Sequence, residues 1–179
     1  MNLSKDLWDN NHYLAEKSLK TKFVQNLKYG TLPKDKFQLY LAQDAFFLEC
    51  FARAYGLAVS KAKDKQMIKI LSKLLIGVSD ELLLHENYAR KWGINLNSNK
   101  INPATKKYTD FLSDVSRNNS LTKIMCAMAP CMRLYAWIGQ SLANDVKNNP
   151  YKEWIETYSS NSFENLARTL ENLINTNNQ

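Results

Sequence analysis

The scarcity of turn-forming residues limits the possible folds of this chain more than any other feature of its sequence. The 179 residues include only five glycines and four prolines. A sheet protein needs such residues at the turns between its strands, roughly every 8–12 residues. No window shows the sustained alternation of apolar and polar residues that a half-buried strand requires. The sequence therefore predicts an all-α fold, a multi-helix bundle without a β-sheet.

Apolar periodicity and helix breakers predict seven or eight helices. The predicted segments are residues 4–17, 21–28, 33–62, 65–92, 103–117, 121–146, 151–158 and 162–175. The prolines that open the third and fifth segments suit a first helical turn, and Gly93 suits a helix end. On the first helix, Leu3, Leu7 and Leu14 are expected to share one face. No linker or repeat interrupts the pattern, so we expect residues 1–179 to form a single helical domain.

Charge and cysteine content narrow the classes of function. The chain has 24 Lys and Arg against 17 Asp and Glu, a net charge of +7, and no basic block of five residues. A nucleic-acid partner is therefore not indicated. Three cysteines without a C-x-x-C pair argue against a disulfide scaffold and a structural zinc site. The first residues lack the apolar core of a signal peptide, and no uncharged stretch is long enough to cross a bilayer. We expect a cytoplasmic protein without a membrane partner.

One carboxylate lies in an otherwise aromatic and aliphatic helix face. On a helical wheel of residues 33–62, an apolar stripe falls within roughly 60° of Asp44. Its members are Phe37, Tyr40, Leu41, Phe47, Leu48, Phe51 and Tyr55. An ionised carboxylate buried without a partner is very costly. Asp44 could be bonded to another helix or form an internal cap. Alternatively, it could orient a nitrogenous ligand in a pocket with aromatic walls.

A cysteine follows a proline inside the sixth predicted helix. Pro130 should kink this helix, and Cys131 comes directly after it. Tyr135 is four residues further on, which places its ring beside the thiol. A buried cysteine is usually a small inert hydrophobe, but the kink and the tyrosine make a nucleophile an equal alternative. Nucleophilic chemistry would need a nearby acid or base, which Asp44 supplies only if the two helices face each other.

A glutamate and a histidine share the apolar stripe of the fourth predicted helix. Glu81 and His85 are four residues apart. This spacing is compatible with a structural pair, with a metal site, or with a role in holding the side chains that line a pocket. A two-metal site needs carboxylates and histidines from several helices, and the only other histidine is His12, which lies off the main stripe of its helix. Metal and haem sites are therefore not favoured. Serine-hydrolase, GxGxxG and P-loop motifs are absent.

Several motifs in combination resemble those of one family. They are Gly30-Thr31-Leu32-Pro33, Phe37-x-x-Tyr40-Leu41-x-Gln43-Asp44-x-x-Phe47-Leu48, Phe51-Ala52-Arg53, Glu81-x-x-x-His85, Pro103-Ala104-x-x-x-x-Tyr108-x-x-Phe111-Leu112, Met128-Ala129-Pro130-Cys131-x-x-x-Tyr135-x-x-Ile138-Gly139 and Trp154-Ile155-x-x-Tyr158. In this order, over essentially the whole chain, the sequence resembles the TenA family (thiaminase II).

The resemblance implies a fold and a chemistry. The fold is the haem-oxygenase-like helical bundle, in a branch that does not bind haem. The implied activity is hydrolysis of aminopyrimidines derived from thiamin, or of thiamin itself, which releases hydroxymethylpyrimidine for salvage. No metal or organic cofactor is implied. The implied assembly is a homo-oligomer, commonly a tetramer or otherwise a dimer.

The resemblance also implies roles for individual residues. Cys131 would add to the pyrimidine ring as the nucleophile, and Asp44 would bond the ring nitrogen and the amino group. Tyr135 and Tyr158 would position Cys131 and the substrate. Phe47 and Tyr108 would hold the substrate by stacking on either side of its ring.

The sequence departs from the family pattern at its C-terminal end. Family members continue into a further helix whose glutamate acts as an acid and base on the leaving group, and we expect this chain to lack it. Glu164 and Glu171 belong to the preceding helix and do not inherit that role. The departure keeps two alternatives open, a non-catalytic pyrimidine-binding relative and a metal-dependent oxidase on the same fold.

Overall fold

The computed structural model describes residues 2–93, 100–144 and 146–176. Within these ranges every regular element is an α-helix. In chain order they are α1 (Leu3–Leu19), α2 (Lys22–Lys28), α3 (Lys34–Ser60), α4 (Lys65–Trp92), α5 (Pro103–Asn118), α6 (Leu121–Leu142), α7 (Lys152–Ser159) and α8 (Asn161–Thr176). The predicted all-α fold is confirmed. None of the described helices is both long enough and apolar enough to span a membrane.

Polar caps and special backbone residues explain most of the boundaries. The side chains that accept a backbone N–H at a helix start include those of Asn2, Thr21, Asp64, Asn102 and Ser160, residue types that cap helices well. Gly93 ends α4 in the left-handed conformation, with a φ of 65°, which a glycine adopts without steric cost. The predicted end at Gly93 is therefore confirmed.

The C-terminal end of α6 is the boundary that the sequence pattern misplaced. The helix was expected to reach residue 146 but ends at Leu142. Asn149 explains how the following chain is held. Its side-chain amide donates hydrogen bonds of 2.9 Å to the carbonyls of Leu27 and Lys28, and its Oδ1 accepts the N–H of Tyr151 at 2.8 Å. The bond to Tyr151 is local and gives the backbone an alternative to a longer helix, while the other two hold this turn to the end of α2.

Contacts within the chain group it into two compact units. One comprises Met1–Leu32 with Ala129–Gln179, and the other comprises Pro33–Met128. In the second unit, α3 packs against both α4 and α5. The largest fully buried side chains of these three helices are Tyr55, Phe37, Phe51, Leu41, Leu71, Leu74 and Leu112. Each contributes about 1.5–3 kcal/mol through the removal of apolar surface from water.

Three side chains on or just after α3 hold α5 along its length. Gln43 bonds the backbone just before the first turn of α5. The Cys50 sulfur lies 3.4 Å from the Thr109 carbonyl and 3.4 Å from the Ser113 hydroxyl. Lys61 donates hydrogen bonds of 2.9, 3.2 and 2.7 Å to the carbonyls of Ser116, Arg117 and Asn119. A cation at these carbonyls also complements the negative end of the helix dipole.

In the first unit, α1 packs through a different face from the one predicted. Leu7 and Leu14 are 43% and 48% exposed, so the expected leucine face is wrong. The contacts are made one position further along the chain. The Ser4 N–H donates to the Asn175 side chain at 3.0 Å, and the Trp8 ring meets the Trp137 ring edge-on with centroids 6.0 Å apart. One position rotates a helix face by about 100°.

An arginine network ties α6 to α8 within the same unit. The Arg133 guanidinium binds both oxygens of Glu171, at 2.6 and 2.8 Å, and binds Glu164 at 2.7 Å. Glu164 also accepts hydrogen bonds from Gln140 and Arg168. Burial raises the pKa of Glu164, but the hydrogen bonds from Arg133 and Arg168 outweigh it and hold that pKa below its ordinary value. The ionised carboxylate therefore stabilises the fold.

This network predicts a specific response to acid. Above the ordinary glutamate pKa of 4.5, the stabilisation from ionised Glu164 is fully present, and it is lost as the pH falls through the lower pKa of the folded state. Glu164→Gln should lower the free energy of unfolding by about 1–3 kcal/mol at pH 7. Because glutamine does not titrate, the difference in unfolding free energy between the two proteins should shrink as the pH falls below 4.5. Urea unfolding at several pH values measures it.

The matched control is Glu49→Gln, which breaks the exposed pair between Glu49 and Arg53. Exposed pairs of this kind contribute about 0–1 kcal/mol. Equal losses in the Glu164→Gln and Glu49→Gln variants, or a Glu164→Gln difference that stays constant down to acid pH, would contradict the expectation.

Candidate active site

The buried Asp44 is paired with a histidine of the neighbouring helix. Asp44 is 7% exposed, and its Oδ2 lies 3.0 Å from Nε2 of His85 on α4. The Tyr40 hydroxyl donates to the same oxygen at 2.9 Å. Nδ1 of His85 lies 2.8 Å from the backbone carbonyl of Glu81. His85 thus supplies the partner that a carboxylate at this position requires.

The partners of the imidazole determine where its protons lie. A carbonyl only accepts hydrogen bonds, so the Nδ1 of His85 carries a proton that it donates to Glu81. One further proton then lies between Nε2 and the Asp44 carboxylate. Burial lowers the pKa of His85, but the hydrogen bond and charge of Asp44, with the Glu81 carbonyl, outweigh it and raise that pKa above its usual value. The contacts with Asp44 therefore favour the protonated form of the imidazole.

The two contacts leave one carboxylate oxygen of Asp44 for other use. Tyr40 and His85 both bond Oδ2. Neither of these two contacts uses Oδ1. A carboxylate oxygen can accept two hydrogen bonds, and in a site of low polarity such bonds are strong. Oδ1 is therefore the atom of this pair that is able to bind a donor from a ligand.

Aromatic rings stack beside Asp44, from α3 onto α5. Phe47 follows Asp44 by three residues, so the two side chains share a helix face. Phe47 stacks on Phe51 and on Tyr108, each with centroids 5.2 Å apart, and Tyr108 stacks on Phe111 at 6.4 Å. The Phe47 and Tyr108 rings touch each other directly. A flat ligand between them would need about 7 Å, twice the contact distance of carbon atoms, so the rings must part to admit one.

The implied nucleophile lies on α6, in the first unit. Helix α6 continues through Pro130, so the proline does not end it. Cys131 carries a thiol and is half-buried, and Tyr135 one turn later is also half-buried. Cys50 and Cys126 are free thiols.

Tyr135 joins a cluster of rings with α7. Its centroid lies 4.8 Å from that of Tyr158 and 6.0 Å from that of Trp154. Tyr158 also meets Trp154 at 4.6 Å and Phe163 at 4.9 Å, and it is only 1% exposed. The two tyrosines that the resemblance singled out on α6 and α7 therefore lie against each other.

A glycine one turn after Tyr135 sets how closely α6 approaches α7. A Cβ atom on Gly139 would lie 2.4 Å from the carbonyl carbon of Tyr158 and 2.7 Å from the nitrogen of Ser159. Both atoms belong to the backbone, which cannot move aside as a flexible side chain can. Gly139 therefore lets the end of α7, with Tyr158, pack directly on α6.

Comparison with known proteins identifies the family. The model of the TENA/THI-4/PQQC family matches residues 11–179. The chain belongs to the TENA/THI-4/PQQC family. It is 33% identical over 174 residues to a protein named aminopyrimidine aminohydrolase from Halalkalibacterium halodurans, covering 93% of this chain and 78% of that one. It is 38% identical over 152 residues to an uncharacterized protein from Haemophilus influenzae, covering 82% and 71%.

A solved structure agrees with this assignment. A TenA homologue from Pyrococcus furiosus superposes with a TM-score of 0.90 at 25% identity, over 97% of this chain and 84% of that chain. The family membership and the all-α TenA fold predicted from the sequence motifs are therefore confirmed. Because several similar family members are named aminopyrimidine aminohydrolases, the chain is an enzyme of the hydrolase class.

The sequence-predicted residues of this TenA family member form two groups, each within one unit. Unit two holds Asp44, Phe47, Glu81, His85 and Tyr108. Unit one holds Cys131, Tyr135 and Tyr158. Glu81 contacts His85 through its backbone carbonyl, so the predicted spacing pairs a main-chain atom with the ring. Within the described ranges, no cluster of three or more His, Cys, Asp or Glu side chains is placed to hold a metal ion.

The sequence pattern assigned no role to three residues that support these two groups, namely Tyr40, Gln43 and Gly139. Tyr40 bonds the Asp44 carboxylate, and its position four residues earlier on the same helix face was the available signal. Gln43 and Gly139 stood in the family motifs without an assigned role. Gly139 carried a signal of its own, since a glycine inside a helix costs about 1 kcal/mol and usually has a packing reason.

The close approach at Gly139 predicts a strong effect of one methyl group. Gly139→Ala should force the end of α7 away from α6 and destabilise the protein by about 1–3 kcal/mol or more. Thermal unfolding measures this, and the Tyr135–Tyr158 cluster should show altered near-ultraviolet circular dichroism. The control is Gly56→Ala on α3, where no atom lies within 4 Å of an added Cβ and alanine should stabilise the helix. Equal stability of the two variants would contradict the expectation.

Proposed function

We propose that this chain is a thiamin-salvage hydrolase that releases hydroxymethylpyrimidine from an aminopyrimidine, with Cys131 as a covalent nucleophile. The observation that carries the proposal is the buried Asp44–His85 pair beside the stacked rings of Phe47 and Tyr108. A buried acid beside flat aromatic surfaces suits a planar ring that bears nitrogen donors and acceptors. The similarity to proteins named aminopyrimidine aminohydrolase supports the same substrate class.

Asp44 binds the polar edge of the pyrimidine in this proposal. The exocyclic amino group donates a hydrogen bond to the carboxylate, and the neighbouring ring nitrogen receives a proton as negative charge develops on it. His85 and Tyr40 hold the carboxylate through Oδ2, which leaves Oδ1 for the substrate. A hydrogen bond to a charged group contributes about 1.5–3 kcal/mol when it is well placed. Phe47 and Tyr108 hold the faces of the ring by stacking.

The chemistry uses the electron deficiency of the pyrimidine. The Cys131 thiolate forms a bond to a ring carbon, and the displaced electron pair moves to the ring nitrogen, which is protonated. The exocyclic methylene then expels the amine with the electron pair of its C–N bond, and the amine takes up a proton. Water adds to the methylene and loses a proton, which balances the proton taken up by the amine. The C–S bond then breaks with its electron pair to regenerate the thiolate, and the ring nitrogen releases the proton that it received. Covalent catalysis of this kind divides one difficult step into easier ones.

Two glutamates of α8 are not assigned to proton transfer at the leaving group. Glu164 and Glu171 both bind Arg133, and their hydrogen-bonding capacity is directed at holding α8 to α6. The proposal therefore rests on Cys131 and Asp44 for the addition step and on Tyr135 and Tyr158 for positioning.

The nucleophile is tested by Cys131→Ser. A serine hydroxyl is far less acidic and less nucleophilic than a thiol, so turnover should fall by at least about 10³-fold. The free energy of unfolding should change by less than about 1.5 kcal/mol, since the volumes are similar. The assay is ammonia release from 4-amino-5-aminomethyl-2-methylpyrimidine by the purified chain.

The matched control is Cys126→Ser on the same helix. Burial raises the pKa of the Cys126 thiol, which disfavours the reactive thiolate, so this variant should keep full activity. Full activity in Cys131→Ser would refute the nucleophile assignment. Pyrimidine binding without turnover by the unmodified chain would favour the non-catalytic alternative.

The role of the carboxylate is tested by Asp44→Asn. The amide keeps the volume of the side chain but carries no charge, so affinity for the pyrimidine should fall by about 10–100-fold. Isothermal titration calorimetry with hydroxymethylpyrimidine measures the Kd directly. Asp35→Asn, an exposed change in the first turn of the same helix, is the control and should leave the Kd unchanged. An unaltered Kd in Asp44→Asn would remove Asp44 from the binding site.

A further inference from the structure

Gln43 is a buried polar side chain next to Asp44 in sequence, and it forms its hydrogen bonds with the backbone just before α5. It is 7% exposed. Its Nε2 donates to the backbone carbonyl of Lys100 at 3.0 Å, and its Oε1 accepts the backbone N–H of Asn102 at 2.8 Å. Both ends of one amide are therefore used on the same short stretch of chain, 57 and 59 residues away in sequence.

That stretch is the start of α5. Asn102 caps the helix, since its side chain accepts the N–H of Thr105 at 2.8 Å and its carbonyl accepts the N–H of Lys106 at 2.9 Å. Tyr108 follows six residues after the cap, about 9 Å along the helix axis. By binding the carbonyl of Lys100 and the N–H of Asn102, Gln43 fixes the point at which the turns that lead to Tyr108 begin.

On α3, the same side chain lies one turn before the partner of Tyr108. Phe47 is four residues after Gln43, so the two project from adjacent turns of one face. The Phe47 and Tyr108 rings are stacked with an interplanar angle of 26°. Gln43 and this stack therefore join the same two helices at neighbouring levels.

The rest of α5 has its own anchors. Cys50 contacts the middle of the helix, and Lys61 binds the carbonyls at its end. Loss of the Gln43 bonds should therefore loosen the first turns of α5, including Tyr108, while the later turns stay in place.

We infer that Gln43 is a positioning residue that fixes the turn of α5 from which the Tyr108 ring reaches the flat substrate. This inference rests on the proposed function, in which Tyr108 stacks on the pyrimidine. Gln43 acts through the backbone of α5 and does not itself touch the substrate. Its effect should therefore fall on binding, since the groups that carry the chemical steps are not altered.

The test compares the two ends of α5. Gln43→Met keeps the length of the side chain and removes both hydrogen bonds. Lys61→Met removes the three hydrogen bonds at the far end of the helix. Both variants should lower the Tm. Only Gln43→Met should raise KM for 4-amino-5-aminomethyl-2-methylpyrimidine, by about tenfold, with kcat within about twofold of the unmodified chain. An unchanged KM in Gln43→Met, or an equal rise in Lys61→Met, would overturn the inference.

A double-mutant comparison separates positioning from general loosening. If Gln43 acts through Tyr108, Gln43→Met should raise KM no further in a Tyr108→Ala background. A full tenfold effect in that background would overturn the inference.

A readout without substrate completes the test. The amides of Thr105 and Lys106 should exchange with solvent faster in Gln43→Met, and not in Lys61→Met. Unchanged exchange in Gln43→Met would overturn the inference whatever the kinetics show. If exchange is faster in Gln43→Met but the unmodified chain neither binds nor hydrolyses the pyrimidine, Gln43 does hold the start of α5 and the proposed function is wrong.

Discussion

A carboxylate inside an aromatic helix face constrains how the second unit can assemble. Asp44 cannot be buried as a lone charge, and its pairing with His85 places one particular turn of α3 opposite one particular turn of α4. The Glu81 carbonyl fixes the orientation of the imidazole, and Tyr40 fixes the second contact to Oδ2. Because a buried polar pair can form in few geometries, it specifies the alignment of α3 with α4 more narrowly than apolar side chains alone would.

The sequence predicted the faces of helices better than it predicted which faces meet. A helical wheel is enough to show that Asp44 lies on the buried face of α3 and needs a partner. It cannot name His85, which is 41 residues away on another helix, because periodicity holds no information on the relative rotation of two helices. The family motifs included both residues but did not indicate that they pair with each other. On α1 no such motif was available, and the contacts of Trp8 lie one position from the predicted leucine face.

The sequence pattern also could not predict features that depend on a close approach between two distant stretches of backbone. The missing side chain of Gly139 matters because the backbone of Tyr158 passes within 2.4 Å of where its Cβ would be. The end of α6 at Leu142 depends on Asn149, whose bonds reach the end of α2. In both cases a residue acts on main-chain atoms far away in sequence. Local preference marked these positions as unusual but could not supply the atoms that they meet.

The anchors of α5 also bear on how a flat ligand could reach the stacked rings. Phe47 and Tyr108 touch each other, so a pyrimidine that stacks between them must first separate them. A shift of α5 as a whole would break the bonds of Gln43, Cys50 and Lys61 together, at a cost that the stacking of one ring, about 0.5–1.5 kcal/mol beyond its burial, does not offset. Rotation of the ring about its side-chain torsions breaks none of these three sets of bonds, although it gives up the stacking contacts with Phe47 and Phe111. We therefore expect the backbone of α5 to stay in place while the Tyr108 ring rotates to admit a ligand. The bonds of Gln43 at the start of α5 then determine the position from which that ring extends.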